Sequence, residues 1–252
     1  MELQIRLFGP FQVFKQGAAV PDRAWRSQNT QGILAFLTIH GQASRERLMT
    51  AFWPDCPYKR GRANLCSTIR YVRQALNGNG ICNGQHQDQD YIVYRKGLYE
   101  FHPPHAFQLD VAQFETHLER ARLAIERGDL KDAQEHYQAA VTLYRGDYLQ
   151  GFYYDWVDLK QEWFRDQYVK ALEALAEIEY RRGQFEQVVA HCYRILEISE
   201  CYEEAYRLLI QAELKLGHRG QALYLCQRVH RVLQEQFGVT PTSETQSLCR
   251  RI

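Results

Sequence analysis

Between residues 59 and 76 the chain sets Arg60, Asn64, Ser67, Thr68, Arg70, Tyr71, Arg73 and Gln74 around an apolar series, Leu65, Ile69, Val72 and Leu76. The apolar residues recur at i, i+4, i+7 and i+11, which predicts one helix docked by a narrow stripe. No acidic residue interrupts its other faces. Guanidinium, amide and hydroxyl groups have donors and acceptors that match base edges and phosphate oxygens, so the chemistry on offer is noncovalent reading of a nucleic acid. For this helix alone a solvated amphipathic face is the plainer explanation. Its surroundings favour the other reading: a short helix and a sharp turn precede it, and a hairpin with Arg95 and Lys96 at its tip follows, together a winged helix-turn-helix.

Other residue types tempt toward catalysis or metal binding and fail on spacing. His102 and His105 flank Pro103-Pro104, which keeps them off one helical face. With His86 they find no Asp, Glu or Cys at ligand spacing, so surface histidines are expected and no metal. Asn77-Gly78-Asn79-Gly80 ends a helix instead of joining a strand to a helix start, so it is a turn and not a phosphate cradle. Cys56, Cys66, Cys82, Cys192, Cys201, Cys226 and Cys249 are odd in number, scattered and without a CxxC pair. That usage points to a reducing compartment, with the cysteines as buried small hydrophobes in place of disulfides, zinc ligands or nucleophiles. No enzyme and no cofactor is expected.

The helix must be positioned by what precedes and follows it. Leu3, Ile5 and Leu7, then Phe11 and Val13, alternate with polar residues and read as short antiparallel strands. A helix follows Ser27, carries Ile33, Leu34, Phe36, Leu37 and Ile39, and stops at Gly41. Ser44 is the expected N-cap of a second helix bearing Leu48, Met49 and Phe52. Two prolines in Trp53-Pro54-Asp55-Cys56-Pro57 end it. Then come the helix over about Lys59 to Leu76, a polar stretch, and strands Tyr91 to Arg95 and Leu98 to Phe101 joined by Lys96-Gly97. Trp53 is expected in the core of this unit.

FWPD, RANLCSTIRYVRQAL, the hairpin GLYEF and LDVAQFE resemble the amino-terminal half of the Streptomyces antibiotic regulatory proteins, or SARPs, whose DNA-binding domain is an OmpR/PhoB-type winged helix. The resemblance extends over nearly the whole chain, the second half resembling their bacterial transcriptional activator domain. It implies that Ser67, Thr68, Arg70 and Tyr71 face the major groove, that Arg73 and Tyr99 meet phosphate, and that Arg95 enters the minor groove. It also implies that the loop Pro54 to Pro57 touches RNA polymerase. Ala63 and Tyr71 stand where relatives can have arginine, so the bases read do not carry over.

The second half repeats a glycine breaker followed by small or branched residues at helical spacing. The sets are Ala133, Tyr137 and Ala140 after Gly128; Val188, Cys192 and Ile195 after Gly183; and Ala222, Cys226 and Val229 after Gly217. The last two sets lie 34 residues apart, the tetratricopeptide period. The first two are 55 apart, the excess lying in an aromatic insert over Tyr144 to Trp156 that reads as a partner surface or as a seam between domains.

Of 252 residues, 45% are hydrophobic, enough for one or two packed domains. The net charge of +1 hides a division: residues 1 to 100 hold thirteen Lys/Arg against seven Asp/Glu, the remainder eighteen against twenty-three. Basic excess attracts polyanions. No apolar run spans a bilayer and the start lacks a signal peptide, so a cytoplasmic protein without membrane contact is expected. The reading is a mainly α protein with a small β component: a winged helix-turn-helix DNA-binding domain over 1–105, then all-α tetratricopeptide-like repeats over 110–252. The expected partners are double-stranded DNA, RNA polymerase through its sigma or alpha subunit, and a second copy on DNA repeats. The function expected is that of a sequence-specific transcription activator. The DNA-facing set is Arg60, Asn64, Ser67, Thr68, Arg70, Tyr71, Arg73, Gln74, Arg95, Lys96 and Tyr99. Two rivals remain at this point, an adapter whose winged helix binds protein and the front part of a larger ATPase-linked regulator. TSETQSLCRRI reads as the closing helix of the second domain.

Overall fold

The computed structural model describes residues 3–77, 91–103 and 106–252. His86, His105, Cys82 and the Gly78 to Gly80 turn lie outside them. In chain order the first elements are β1 (Leu3–Arg6), β2 (Gln12–Lys15), β3 (Ala18–Ala19), α1 (Gln28–His40), β4 (Gln42–Ser44), α2 (Arg45–Phe52), α3 (Tyr58–Asn77), β5 (Ile92–Arg95), β6 (Leu98–Phe101) and β7 (Phe107–Leu109). Helices follow: α4 (Asp110–Glu126), α5 (Leu130–Leu143), α6 (Asp155–Arg181), α7 (Phe185–Ile198), α8 (Glu203–Lys215), α9 (Arg219–Phe237) and α10 (Ser243–Arg250). They form two compact units, one of residues up to Gln113 with Leu143–Trp163, the other of Phe114–Thr142 with Phe164–Ile252.

In the first unit a sheet of order β3-β2-β1-β7 buries Leu3, Ile5 and Leu7, as their alternation requires. β7 joins β1 in parallel, Leu3 opposite Phe107 and Ile5 opposite Leu109. The chain past β7 is fixed by Asp110, whose carboxylate accepts from the backbone N–H of Leu7 at 2.8 Å, Phe8 at 3.1 Å and Val111 at 2.9 Å, and from Arg145 Nη2 at 2.8 Å. Burial pushes its pKa above the ordinary value, against the pull of those donors.

The aromatic insert belongs to this unit. Leu149 N donates to the Leu7 carbonyl at 2.6 Å and Gly9 N to the Asp147 carbonyl at 3.0 Å. The backbones approach so closely that a Cβ on Gly146 would stand 3.1 Å from the Gly9 Cα, and both glycines have positive φ. Tyr148, Leu149 and Phe152 are buried. Phe152 lies 6.1 Å from Phe11, which meets Trp25 edge-on at 5.4 Å.

The helix order matches the expectation, with one addition. β4, only three residues long, pairs with β6 to make a second sheet, β4-β6-β5. Ser44 caps α2, its Oγ accepting from Arg47 N at 3.1 Å. Trp53, expected in the core, is only half-buried, at its edge beside the buried Phe52. Lys96 and Gly97 both have positive φ, as a two-residue hairpin turn demands.

In the second unit the same cap recurs at each glycine. Gly128, Gly183 and Gly217 have φ of 75°, 75° and 82°. The next residue reaches back five positions each time: Asp129 N to Ala124 O, Gln184 N to Glu179 O and His218 N to Glu213 O. This αL closure turns one helix sharply into the next. Ala133, Val188 and Ala222, each five residues past its glycine, are fully buried. The chain is thus mainly helical with small sheets, in helix pairs of the expected phase.

The cysteine expectation needs correction. Cys226 on α9 and Cys249 on α10 form a disulfide, and Cys66 is exposed on α3; only Cys192 among the free described cysteines is fully buried. Helical periodicity assigns such residues to faces but says nothing of which distant face they meet.

Candidate nucleic-acid interface

Helix α3 is held on its apolar side by Leu65, Ile69, Val72 and Leu76, all buried. Gly61 completes that side: a Cβ there would lie 3.1 Å from Met49 Cε. Two side chains tie the helix to the strands. Lys15 Nζ on β2 donates to the Leu76 carbonyl at 2.7 Å, a cation at the negative end of the helix. Arg73 donates from Nε at 3.0 Å and Nη2 at 2.7 Å to the Ile92 carbonyl on β5.

Outward, Arg60, Ser67, Arg70 and Gln74 are exposed at spacings of seven, three and four, one continuous stripe along the helix. Asn64 and Tyr71 flank it, half-buried. Arg95 and Lys96 are exposed at the hairpin tip. Three of the expected residues are built into the scaffold. Thr68 is buried and its Oγ1 donates to the Asn64 carbonyl at 2.8 Å. Arg73 makes the tie to β5 just described. Tyr99 is buried, 4.7 Å from Tyr94, and burial pushes its phenol pKa up.

Residues 109–252 match the family described as the bacterial transcriptional activator domain. The chain belongs to that family. The regulatory protein DnrI of Streptomyces peucetius is 24% identical over 249 residues, covering 98% of this chain and 90% of its own length. The regulatory protein AfsR of Streptomyces coelicolor is 23% identical over 246 residues, 94% of this chain but 24% of AfsR. In fold, the chain is similar to Mycobacterium tuberculosis EmbR in complex with a low-affinity phosphopeptide, with a TM-score of 0.79 and 24% identity, covering 99% of this chain and 64% of that one. This is a SARP-type transcriptional regulator.

Two arginines of this SARP-type regulator join the surface without a signal in the helical pattern. Arg26, exposed just before α1 with φ of 62°, places its Cζ 5.4 Å from the Tyr71 ring centre. Arg70 lies over the same ring at 5.1 Å, so Tyr71 carries two guanidinium groups. Arg45 opens α2, lies 5.3 Å over Tyr94 and donates to its hydroxyl at 3.0 Å. Both arginines come from other elements, so only the fold brings them beside α3 and the wing. Among the described residues no helix is long and apolar enough to cross a membrane.

Proposed function

We propose that this regulator is a cytoplasmic, sequence-specific DNA-binding activator that lays α3 in the major groove and the Arg95-Lys96 tip in the minor groove. The observation that supports this best is the acid-free stripe of Arg60, Ser67, Arg70 and Gln74, exposed on a helix whose opposite face is buried. Arg70 reads bases, oriented by Tyr71; Ser67, Asn64 and Gln74 add contacts; Arg60 and Arg26 hold phosphates. Thr68, Arg73 and Tyr99 act behind the interface, Arg73 by tying α3 to the wing. Two copies occupy adjacent half-sites, and RNA polymerase is engaged through sigma or alpha by the Pro54 to Pro57 turn or by the helical repeats. The test is footprinting on DNA upstream of neighbouring genes at several salt concentrations. Protected repeats with an affinity that falls steeply with salt support the reading. Uniform binding to unrelated DNA, or none, overturns it.

A further inference from the structure

Apart from the α3 surface, the first unit holds a cleft of about 750 Å3. Its walls are aromatic. Phe36 on α1 meets Trp156 edge-on at 5.1 Å, Phe52 on α2 meets Tyr154 at 4.9 Å, and the Tyr154 and Trp156 rings lie within 10° of parallel. Its charged lining leans basic: Arg47 and Lys160 border the cleft beside His40, and Asp155 is the one acid lining it among the described residues. Arg47 rests 5.1 Å over Phe36, and among the described residues neither Arg47 nor Lys160 has a carboxylate partner. Burial lowers the His40 pKa, and Arg47 and then Lys160 lower it further, so two unpaired positive charges act on one spot.

A volume of this size is that of a small-molecule site, mostly apolar with a few placed polar groups. Aromatic walls select a flat ring. Two cations without a carboxylate partner select a negative group. We propose that this cleft binds a small planar aromatic anion, with its ring against the aromatic wall and its acidic group drawn to Arg47 and Lys160. The cleft is also edged by Thr50 and Pro54, where α2 gives way to the turn before α3, so the ligand lies against the segment that leads into the recognition helix.

The probe is 2-naphthoate, titrated calorimetrically into the full chain, with neutral 2-naphthamide as its uncharged counterpart. We expect saturable binding of one naphthoate per chain, with the amide about tenfold weaker. Lys160→Ala and Arg47→Ala should each lower naphthoate affinity by about tenfold while leaving amide binding within about twofold. Circular dichroism on both variants checks that the fold survives. Equal affinity for acid and amide, or unchanged naphthoate binding in both variants, overturns the proposal. Binding of an acidic peptide with no binding of naphthoate also overturns it, in favour of a protein-docking groove.

Discussion

Arg70, Tyr71 and Arg73 are close neighbours on α3 but face different surroundings. Arg70 is exposed and rests on Tyr71, which Arg26 covers from another element. Arg73 points the other way and gives two hydrogen bonds to the Ile92 carbonyl. Arg70→Ala should therefore weaken binding to the footprinted site by roughly 1–3 kcal/mol with an unchanged urea midpoint. Tyr71→Ala should do the same by removing the surface that positions both guanidinium groups, whereas Tyr71→Phe keeps the ring, gives up only the long 3.4 Å hydrogen bond from Arg70 Nη2 to the hydroxyl, and should lose less affinity than Tyr71→Ala. Arg73→Ala should lower stability by about 1–3 kcal/mol and affect affinity little at temperatures where the variant stays folded. Fluorescence anisotropy at matched salt, beside urea melts, separates the two kinds of effect. Weaker binding by Arg73→Ala without lost stability would place that side chain on DNA. The exposed stripe was legible because helical period alone sorts its residues. Thr68 and Tyr99 were not, since Thr68 borders the apolar stripe and Tyr99 faces inward from β6, where only tertiary packing decides burial.

Elements are placed by close contacts that local patterns do not reveal. β4 has three residues, too few for an alternation, and its partners on β6 come more than fifty positions later. Helix α1 shows the same at Gly32. A Cβ there would lie 2.7 Å from Phe52 Cε1 and 3.2 Å from Tyr154 Cε2, both rings fixed by neighbours. Alanine gains up to about 1 kcal/mol in helix propensity, but overpacking costs roughly 1–3 kcal/mol, so Gly32→Ala should lower the melting temperature. Gly220 in α9 meets nothing within 4 Å, so Gly220→Ala should leave it unchanged or raise it. A stabilising Gly32→Ala would show that the insert packs more loosely on α1.

The pairing of α4 with α5 makes a pH prediction. His117 Nδ1 lies 3.1 Å from His136 Nδ1, and burial lowers the His117 pKa, with His136 and Arg120 adding to it. Asp132, 3.6 Å from His136, is the acid that faces the pair. The folded chain then binds fewer protons than the unfolded one near pH 6. This stability is present above the unfolded value of about 6.5 and is lost as pH falls below it. Urea midpoints should drop between about pH 7.5 and about pH 5.5. His40 contributes with the same sign, so the parent's slope contains both groups. His117→Gln should flatten its share, and an unchanged slope in that variant would remove the pair as a cause.

At the scale of the whole molecule, charge, glycine breakers and the 34-residue phase made the two-part organisation legible, but not where the parts exchange chain. The excess of aromatic residues over 144–156 was visible; their partner was not, because the meeting of Gly9 with Gly146 joins points far apart in sequence. The consequence concerns which fragment can bind DNA. A chain ending at residue 105 holds α3 and the wing, but it loses β7 and the Asp110 carboxylate that takes the Leu7 and Phe8 N–H groups. It also loses Tyr148, Leu149 and Phe152, all buried in the first unit. At about 1.5–3 kcal/mol for each large side chain, that burial rivals the 5–15 kcal/mol that typically holds a domain together. We therefore expect residues 1–105 to show no cooperative urea transition and no saturable binding to the footprinted site. Residues 1–163 restore the strand, the buried carboxylate and the insert, and should recover both. Circular dichroism with urea and anisotropy on the same two fragments make the comparison. Full-affinity binding by 1–105 would mean that the winged helix folds without the insert, leaving the insert's aromatic residues for the cleft they line.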